Sequence, residues 1–399
     1  MPHSYSDRIP GQRSLHSPGP TRVPDEVVHA MSRQPMDLAD PRVPRLIASC
    51  ENGMQALLAT RSDVFFYAAN GHGGWEAVIA NLVAPGQRFL VPGTGHFSDS
   101  WAEQVEAFGG RALRTPWREG EPIDPAAVEA LLREDSAHEI VAVFAVHTDT
   151  ASGTTSDLRA LRRAIDAAKH PALYVVDVVA SLAAAPFAMD ELGVNVTMGA
   201  SQKGLMLQPG LAFVAADERA QQVAARNPAP RFYWDWARRR SELQYRKFCG
   251  TPPLAHLAGL EASLGLIANE GLTQVHARHA RLAGAVHAAV QAWGSTGCVQ
   301  LFARVPAARS VSVTAVQVAP GIDPEALRSV ARERFQVAMA GGLGPLQGRV
   351  FRIGHLGDMN EAMILGALAG VQGAMAAQGI PFGGGALDAA VQALDHGPR

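Results

Sequence analysis

A lysine in an apolar, glycine-flanked stretch is the first residue of this chain whose type suggests chemistry. Lys203 lies in MGASQKGLMLQPG (residues 198–210), whereas the 35 lysines and arginines of the chain include only two other lysines, Lys169 and Lys247. Arginine stays protonated in proteins, so a position that needs an uncharged amine requires lysine. Burial lowers the pKa of an amine and lets it act as a nucleophile or a base. The stretch therefore predicts a reactive amine, although most lone lysines are solvated side chains.

Two further groups follow predicted strands. Asp177 ends the apolar run in ALYVVDVVAS, where a carboxylate is costly without a cationic partner. The stretch NGHGG (residues 70–74) separates a predicted strand from a predicted helix, and the free N–H groups of a helix start bind anions. Two alternatives stay open at this point: a structural ion pair or helix cap for Asp177, and a plain turn for the glycines.

Taken together, the three features match the needs of pyridoxal phosphate. This cofactor requires a phosphate site, a carboxylate beside its protonated ring nitrogen, and a lysine that forms a Schiff base. A nicotinamide dehydrogenase would need the pattern GxGxxG followed about 20 residues later by an acidic residue, and a P-loop would need Lys-Ser/Thr. Neither pattern occurs in the right place. The sequence therefore predicts a pyridoxal phosphate enzyme.

The elements that must position these groups alternate between short apolar strands and amphipathic helices from about residue 44 onward. This alternation is typical of an α/β fold with a mostly parallel central sheet flanked by helices, whose ligand sites lie at the carboxyl ends of the strands. From about residue 278 the pattern changes to that of a smaller α+β domain. We predict a disordered N-terminal arm (1–17), a large cofactor-binding domain (18–280, with an N-terminal segment 18–43) and a small C-terminal domain (281–399).

Composition narrows the classes of partner. The net charge of -2 gives no reason to expect nucleic acid, and no apolar run approaches the roughly 18 residues of a membrane span. The three cysteines, Cys50, Cys249 and Cys298, lie far apart and lack the spacing of a zinc site or a disulfide framework. We therefore predict a cytoplasmic protein with small-molecule substrates and no bound metal, nucleic acid or membrane.

Several long motifs, in a fixed order, make the chain resemble a known family. They are SPGPTRVP, GHGGWEA, VVDVVASL, GASQKGLMLQPGLAF, FYWDW and GRVFRIGHLGD. In these motifs the chain resembles the class V, fold-type I pyridoxal phosphate-dependent aminotransferases, and within them the bacterial serine–glyoxylate and alanine–glyoxylate aminotransferases. The resemblance runs from about residue 17 to near the C-terminus. It implies transfer of an amino group from a small amino acid, such as serine or alanine, to a 2-oxo acid such as glyoxylate or pyruvate.

The resemblance also implies roles for individual residues. Lys203 would carry the cofactor as a Schiff base, Asp177 would pair with its ring nitrogen, and Arg352 in VFRIGHLG would bind the substrate α-carboxylate. The family is implied to work as a homodimer whose active site is shared between subunits. The resemblance further implies Val179 and Phe97 on the two faces of the cofactor ring. At the phosphate it implies Gly71, His72 and Gln202, joined by Thr251 from the partner subunit.

The chain departs from the family pattern in ways that leave the amino donor open. Ala151 stands in DTASGT where the family often has serine, Phe248 replaces a tyrosine, and the stretch ARRRSELQYRKFCGTPP is unusually basic. Pyridoxamine–pyruvate aminotransferase, or a class V enzyme with another donor, is the main alternative. A desulfurase or other lyase would need a reactive cysteine, for which Cys249 is the candidate. A regulatory cofactor-binding protein would need a DNA-binding segment, and none precedes residue 17.

Overall fold

The strands and helices of the computed structural model, which describes residues 11–396, follow the alternation that the sequence predicts. The strands are β1 (Ser14–His16), β2 (Asp63–Tyr67), β3 (Arg88–Val91), β4 (Arg111–Arg114), β5 (Ile140–Val146), β6 (Thr148–Asp149), β7 (Thr154–Thr155), β8 (Leu173–Asp177), β9 (Val196–Ala200), β10 (Ala212–Ala216), β11 (Val299–Leu301), β12 (Val313–Val318), β13 (Val337–Gly341) and β14 (Val350–Gly354). The helices are α1 (Asp25–Met31), α2 (Arg42–Leu58), α3 (Gly71–Leu82), α4 (His96–Ala107), α5 (Pro125–Glu134), α6 (Leu158–Ala167), α7 (Glu218–Arg226), α8 (Trp236–Arg239), α9 (Gln244–Lys247), α10 (Leu254–Glu270), α11 (Leu272–Trp293), α12 (Pro324–Arg334), α13 (Glu361–Ala377) and α14 (Ala386–His396).

A seven-stranded sheet in the order β2-β10-β9-β8-β5-β3-β4 forms the centre of the larger part of the fold. The strands from β9 to β4 in this order are parallel, and β10 runs antiparallel to both of its neighbours. β5 and β8 are buried along almost their whole length, as expected for strands covered by helices on both faces. The prediction of a mostly parallel α/β sheet is therefore confirmed.

The exception, β10, has a local cause. A parallel return requires a crossover connection of about a dozen or more residues, usually a helix. Residues 201–211, which join β9 to β10, instead form a tight turn around Lys203, in which the Ser201 N–H and hydroxyl pair with the backbone of Leu211 and Gln208. The connection that reverses the chain direction thus places Lys203 just beyond the carboxyl end of β9.

A second sheet, in the order β1-β13-β14-β12-β11, packs with α11, α13 and α14 around its own apolar core. Its strands from β13 to β11 are antiparallel, which agrees with the predicted α+β character of the C-terminal part. The predicted boundary near residue 280 falls inside α11 (Leu272–Trp293), so a single continuous helix runs across it. The division into two domains at this point stays a prediction.

The N-terminal arm differs from the prediction. Ser14–His16 forms β1, which pairs in parallel with Val337–Met339 of β13. The His16 ring is fully buried and its Nδ1 lies 3.2 Å from the carbonyl oxygen of Gly354. The prediction of disorder is therefore wrong for this strand, because long-range pairing orders a segment that has no local signal. Residues 1–10 of the predicted arm lie outside the described residues.

Candidate active site

A cavity of about 330 Å³ lies where β5, β8 and β9 end, the edge at which parallel sheets place their ligand sites. Trp75, Thr150 and the segment Gly19–Pro20 contribute to its lining. Seven of the residues singled out from the sequence line the same cavity: Gly71, His72, Phe97, Asp177, Val179, Gln202 and Lys203.

Lys203 is held in a buried position by the N-terminal segment. Its Nζ donates to the carbonyl oxygen of Pro18 and lies 3.4 Å from the Thr150 hydroxyl. The next residue, Gly19, has a φ of +136°, and a Cβ at this position would overlap Cε of the lysine. Thr21 completes the contact, because its hydroxyl donates to the Lys203 carbonyl oxygen at 3.2 Å. The segment that follows β1 therefore covers the Lys203 amine directly.

Burial is the main reason why the pKa of Lys203 is lowered, to about 7. The positive charge of Arg352 lowers the pKa further, whereas the carboxylates of Asp177 and Asp149 oppose the shift. An amine with this pKa is uncharged in a large fraction of molecules near neutral pH. It can therefore act as the nucleophile or base that the sequence predicts.

The reactivity of Lys203 in the cofactor-free protein should follow this pKa. Only the uncharged amine attacks an aldehyde, so we expect reductive methylation of Nζ by formaldehyde and borohydride to accelerate as the pH rises through about 7. Mass spectrometry of the peptide that carries Lys203 measures the rate, with the exposed Lys169 in the same sample as a reference for the reagent. A rise centred near the ordinary lysine value of about 10 would contradict the assignment.

Asp177 faces the cavity from the last position of β8. Its Oδ2 accepts from Trp75 Nε1 at 2.7 Å and its Oδ1 from the Val179 N–H at 2.6 Å. Burial raises the pKa of Asp177 to about 6, although both donors and the charge of Lys203 oppose this change. The carboxylate is thus fixed in orientation, and within residues 11–396 it makes no ion pair. A carboxylate held in this way is suited to bind a cationic atom of a ligand.

The start of α3 lines the same cavity and suits an anion. α3 begins at Gly71, and the Asn70 side chain caps it by accepting from the Gly73 N–H at 3.1 Å. The first N–H groups of a helix have no partner within the helix, and they point toward an anion at its N-terminus. Gln202 lines the same cavity, where the NH₂ group of its amide is a donor suited to a phosphate; its buried oxygen, an acceptor, has no hydrogen-bond partner among the described residues. This part of the cavity therefore has unused polar capacity for a phosphate.

Arg352 lies beside the cavity without lining it. From β14 its Nη1 donates to the Thr150 carbonyl oxygen at 3.0 Å, and its Nε donates to the Gly341 carbonyl oxygen at 2.7 Å. Burial is the main reason why the pKa of Arg352 is lowered, to about 10. The small sheet thus brings this guanidinium to Thr150, the residue whose hydroxyl lies 3.4 Å from Lys203 Nζ. Its predicted contact with the substrate carboxylate stays a prediction.

Thr251 is not brought to the Lys203 cavity within one chain. It is exposed and lines a different cavity of about 890 Å³, together with residues that include Met36 and Leu38. Its predicted contact from a partner subunit stays a prediction.

Thr150 and Trp75 are two of the lining residues that were not predicted as site residues. Thr150 supplies a hydroxyl beside Lys203, one residue before Ala151, where the family pattern was expected to lose a polar contact. Ala151 itself is buried, and its N–H donates to Asp149 at 2.8 Å. No role was predicted for Trp75, although its indole N–H donates to Asp177 at 2.7 Å. Trp75 is the tryptophan of the motif GHGGWEA, so the sequence already contained a signal for it.

The cavity therefore meets the three requirements of pyridoxal phosphate on its own geometry. It holds a buried amine of lowered pKa, an oriented carboxylate, and a helix start whose N–H groups can receive a phosphate. Among residues 11–396 no group of histidine, cysteine and acidic side chains could hold a metal ion. In the same range no helix is long and apolar enough to cross a membrane.

Comparison with known proteins agrees with this chemistry. The chain is 39% identical over 384 residues to an L-aspartate–glyoxylate aminotransferase of Paracoccus denitrificans, with 96% of each chain covered. It is 38% identical over 379 residues to a serine–glyoxylate aminotransferase of Methylorubrum extorquens, which covers 94% of this chain and 93% of that relative. The crystal structure of pyridoxamine–pyruvate aminotransferase from Mesorhizobium loti superposes with a TM-score of 0.87 at 28% identity, with 96% of each chain covered.

The family model "Aminotransferase class-V" matches residues 14–347, which is most of the chain. The resemblance inferred from the motifs is therefore confirmed, and the family implies dependence on pyridoxal phosphate. This chain belongs to the class V aminotransferases and is a pyridoxal phosphate-dependent transaminase.

Proposed function

We propose that this transaminase moves the amino group of a small amino acid, with serine and alanine as the first donors to test, to a 2-oxo acid such as glyoxylate or pyruvate. The observation that carries the proposal is the convergence of a buried amine, an oriented carboxylate and a helix N-terminus on one cavity. The names of the relatives from Paracoccus denitrificans and Methylorubrum extorquens support glyoxylate as an acceptor, and the first adds aspartate to the donors worth testing.

The residues that would hold the cofactor follow from the geometry and the family motifs. The N–H groups at the start of α3 and the NH₂ group of the Gln202 amide would donate to the phosphate. Asp177 would accept from the protonated ring nitrogen, and Val179 and Phe97 would lie against the ring faces. When bound, pyridoxal phosphate supplies an aldehyde for imine formation and a ring that delocalises the electrons left after Cα deprotonation.

Lys203 would hold the aldehyde carbon in the resting enzyme and move a proton once its amine is displaced by the substrate. With a pKa near 7, the free amine of Lys203 would act as the base that takes the proton from the substrate Cα. The Thr150 hydroxyl, 3.4 Å from Nζ, and the Pro18 carbonyl would restrict the amine to this side of the cavity. Asp177 would meanwhile keep the proton on the ring nitrogen through its negative charge.

Arg352 would bind the substrate α-carboxylate. Two of its nitrogens are fixed by backbone carbonyls, and among residues 11–396 Nη2 has no hydrogen-bonded acceptor. We expect Arg352→Lys to raise the KM of the amino donor by about tenfold or more, because a point-like ammonium loses the planar fork. Steady-state kinetics with each donor measures this effect.

The matched control is Arg349→Lys. Arg349 precedes the same strand and makes a two-pronged ion pair with Glu119, at 2.7 and 2.8 Å. It lies outside the cavity lining, so its replacement should leave the KM unchanged. Equal KM values for the wild type and for Arg352→Lys would remove Arg352 from the proposed site.

A homodimer with a shared site is part of the proposal. It is supported by the exposure of Thr251 and by the open cavity that this residue lines, which a second subunit would cover. Light scattering of the purified protein gives the mass in solution. The cytoplasmic location predicted from the cysteine pattern stays a prediction.

The proposed reaction is tested by half-reaction spectra of the purified holoenzyme. Serine, alanine, aspartate and glycine are added singly, and loss of the visible absorbance of the lysine-bound cofactor identifies the donor. The absorbance should return when glyoxylate or pyruvate is added. Because the Mesorhizobium loti neighbour is named for pyridoxamine, the panel includes pyridoxamine with pyruvate. Turnover of that pair alone, without reaction of any amino acid, would favour this alternative over the proposal.

A desulfurase reaction gains no support from the position of Cys249. Its Sγ donates to the Phe232 carbonyl oxygen at 3.7 Å, and the residue does not line the Lys203 cavity. Cys249 instead lines a separate surface cavity with Arg238, Arg240 and Arg246.

A further inference from the structure

We propose that Asp149 is a positioning residue of the active site, which holds the aromatic wall at Phe97 and the turn that carries Thr150 in a fixed relation to each other. This inference rests on the proposed function, because it assigns these two features to cofactor and substrate contact. The family roles carried over from the motifs do not include this carboxylate, although DTASGT begins with it.

Asp149 is fully buried at the end of β6 and joins two separate loops. Its Oδ2 accepts from the Phe97 N–H at 3.0 Å and from the Thr94 hydroxyl at 3.2 Å. Its Oδ1 accepts from the Ala151 N–H at 2.8 Å and from the Ser152 N–H at 3.4 Å. One oxygen thus serves the first turn of α4 and the loop before it, and the other serves the turn that follows β6.

Both loops contribute directly to the cavity. Phe97 lines it and packs edge-on against Trp75, with ring centroids 6.2 Å apart. Thr150, directly after Asp149, is the residue whose hydroxyl lies 3.4 Å from Lys203 Nζ and whose carbonyl oxygen accepts from Arg352. A shift of either loop would therefore move the aromatic wall, or the contacts of the lysine and the arginine.

Close packing and charge give the carboxylate little freedom. Gly95 approaches it so closely, at a φ of +134°, that a Cβ would lie 3.2 Å from Oδ2. Burial raises the pKa of Asp149, while its four donors oppose this change. In turn its negative charge raises the pKa of both Lys203 and Arg352. A buried carboxylate without an ion-pair partner at contact distance is costly unless hydrogen bonds compensate it, and here those bonds connect the two sides of the site.

Asp149→Asn tests this arrangement with minimal change in shape. In either orientation the amide directs its NH₂ group at one pair of donors, so at least one backbone N–H loses its acceptor. We expect the affinity of the cofactor-free protein for pyridoxal phosphate to fall by about tenfold or more, together with the rate of the donor half-reaction. Near-ultraviolet circular dichroism of the cofactor-free protein gives a further readout, since the contact between Trp75 and Phe97 should loosen.

The matched control is Asp135→Asn, which changes a buried carboxylate far from the cavity. Asp135 accepts from the Ile140 N–H at 2.7 Å and lies 3.1 Å from His170. This variant is expected to lower the melting temperature while leaving cofactor affinity and half-reaction rate at wild-type values. Thr94→Val removes one of the four donors, preserves the shape of the side chain, and should weaken cofactor binding about threefold even if Asp149→Asn proves insoluble.

The inference is overturned if Asp149→Asn binds the cofactor and reacts like the wild type, or if Asp135→Asn lowers both quantities equally. For an insoluble Asp149→Asn, wild-type cofactor affinity in Thr94→Val overturns it. Cofactor binding and donor turnover by the wild type test the proposed function separately, because the inference concerns only the ratio of variant to wild type.

Discussion

Replacing Lys203 with alanine is expected to lower the rate of transamination by at least about a thousandfold and to abolish the visible absorbance of the lysine-bound cofactor. The variant loses at one position the nucleophile that holds the aldehyde and the base that moves the Cα proton. Because Lys203 is buried and has a pKa near 7, no solvated lysine can replace it from outside the cavity. Absorbance spectra and steady-state rates of the purified variants measure both effects.

Two further variants distinguish the need for an uncharged amine from the need for a positive charge, and from general effects of removing a lysine. Lys203→Arg keeps a positive charge in the cavity but cannot supply an uncharged amine, so we expect it to be as inactive as Lys203→Ala. Lys169→Ala removes an exposed lysine and should retain full activity and absorbance. Appreciable turnover by Lys203→Ala with intact visible absorbance would show that another group carries the aldehyde.

The ends of apolar strands made the centre of this site predictable from sequence. Asp177 ends β8 and Lys203 lies in the turn after β9, so both had to meet where parallel strands finish. Gly71 was predictable for a related reason, because glycines at a strand-to-helix junction mark a helix start with free N–H groups. Each of these signals is local, and the sheet order then brings them together.

The residues that sequence reasoning missed depend on contacts that no local pattern encodes. β1 contains only Ser14–His16, and it is ordered by pairing with Val337–Met339 more than 300 positions away. The contact of Pro18 with Lys203 follows from that pairing and could not be inferred without it. Long-range pairing of this kind is invisible to periodicity, which reports only which face of an element is buried.

Asp149 is a different case, because its signal was present. The run IVAVFAVHTD places a carboxylate shortly after a buried strand, as in the run that ends at Asp177. Threonine, serine and glycine surround it in TDTASGT, a composition typical of a solvated turn, although the carboxylate is fully buried. A carboxylate near the end of a buried parallel strand indicates a compensated charge at Asp149 as it does at Asp177, because burial of a charge must be compensated wherever it occurs.

Replacing Asp177 with asparagine is expected to reduce the transamination rate on the order of 10²–10³-fold while leaving the fold intact. The amide keeps the size of the side chain, and its oxygen can still accept from the Val179 N–H. It carries no charge, so it cannot keep the proton on the cofactor ring nitrogen. The loss should appear in the rate of the donor half-reaction rather than in the KM, because Asp177 makes no contact with the proposed carboxylate site at Arg352.

Trp75→Phe is the control for the hydrogen bond that Asp177→Asn also disturbs. It removes the indole N–H that donates to Oδ2 at 2.7 Å but leaves the carboxylate charge in place, so its rate should fall much less. Equal losses in the two variants would assign the effect to orientation and not to charge.

The pH dependence of stability gives Asp177→Asn a readout that does not involve turnover. The pKa of Asp177 is raised to about 6 in the folded protein, above its value of about 4 in an unfolded chain. Ionisation at this position therefore favours the unfolded state, so the folded cofactor-free protein should lose stability as the pH rises from about 4 through about 6. Asp177→Asn should lack this part of the loss, which chemical denaturation at several pH values measures as the difference between the two proteins. If the two stability curves stay parallel across that range, burial does not raise the pKa of Asp177 in the folded protein. A divergence of the predicted sign, combined with the loss of rate, would show that the chain keeps a destabilising charge because the ring nitrogen requires it.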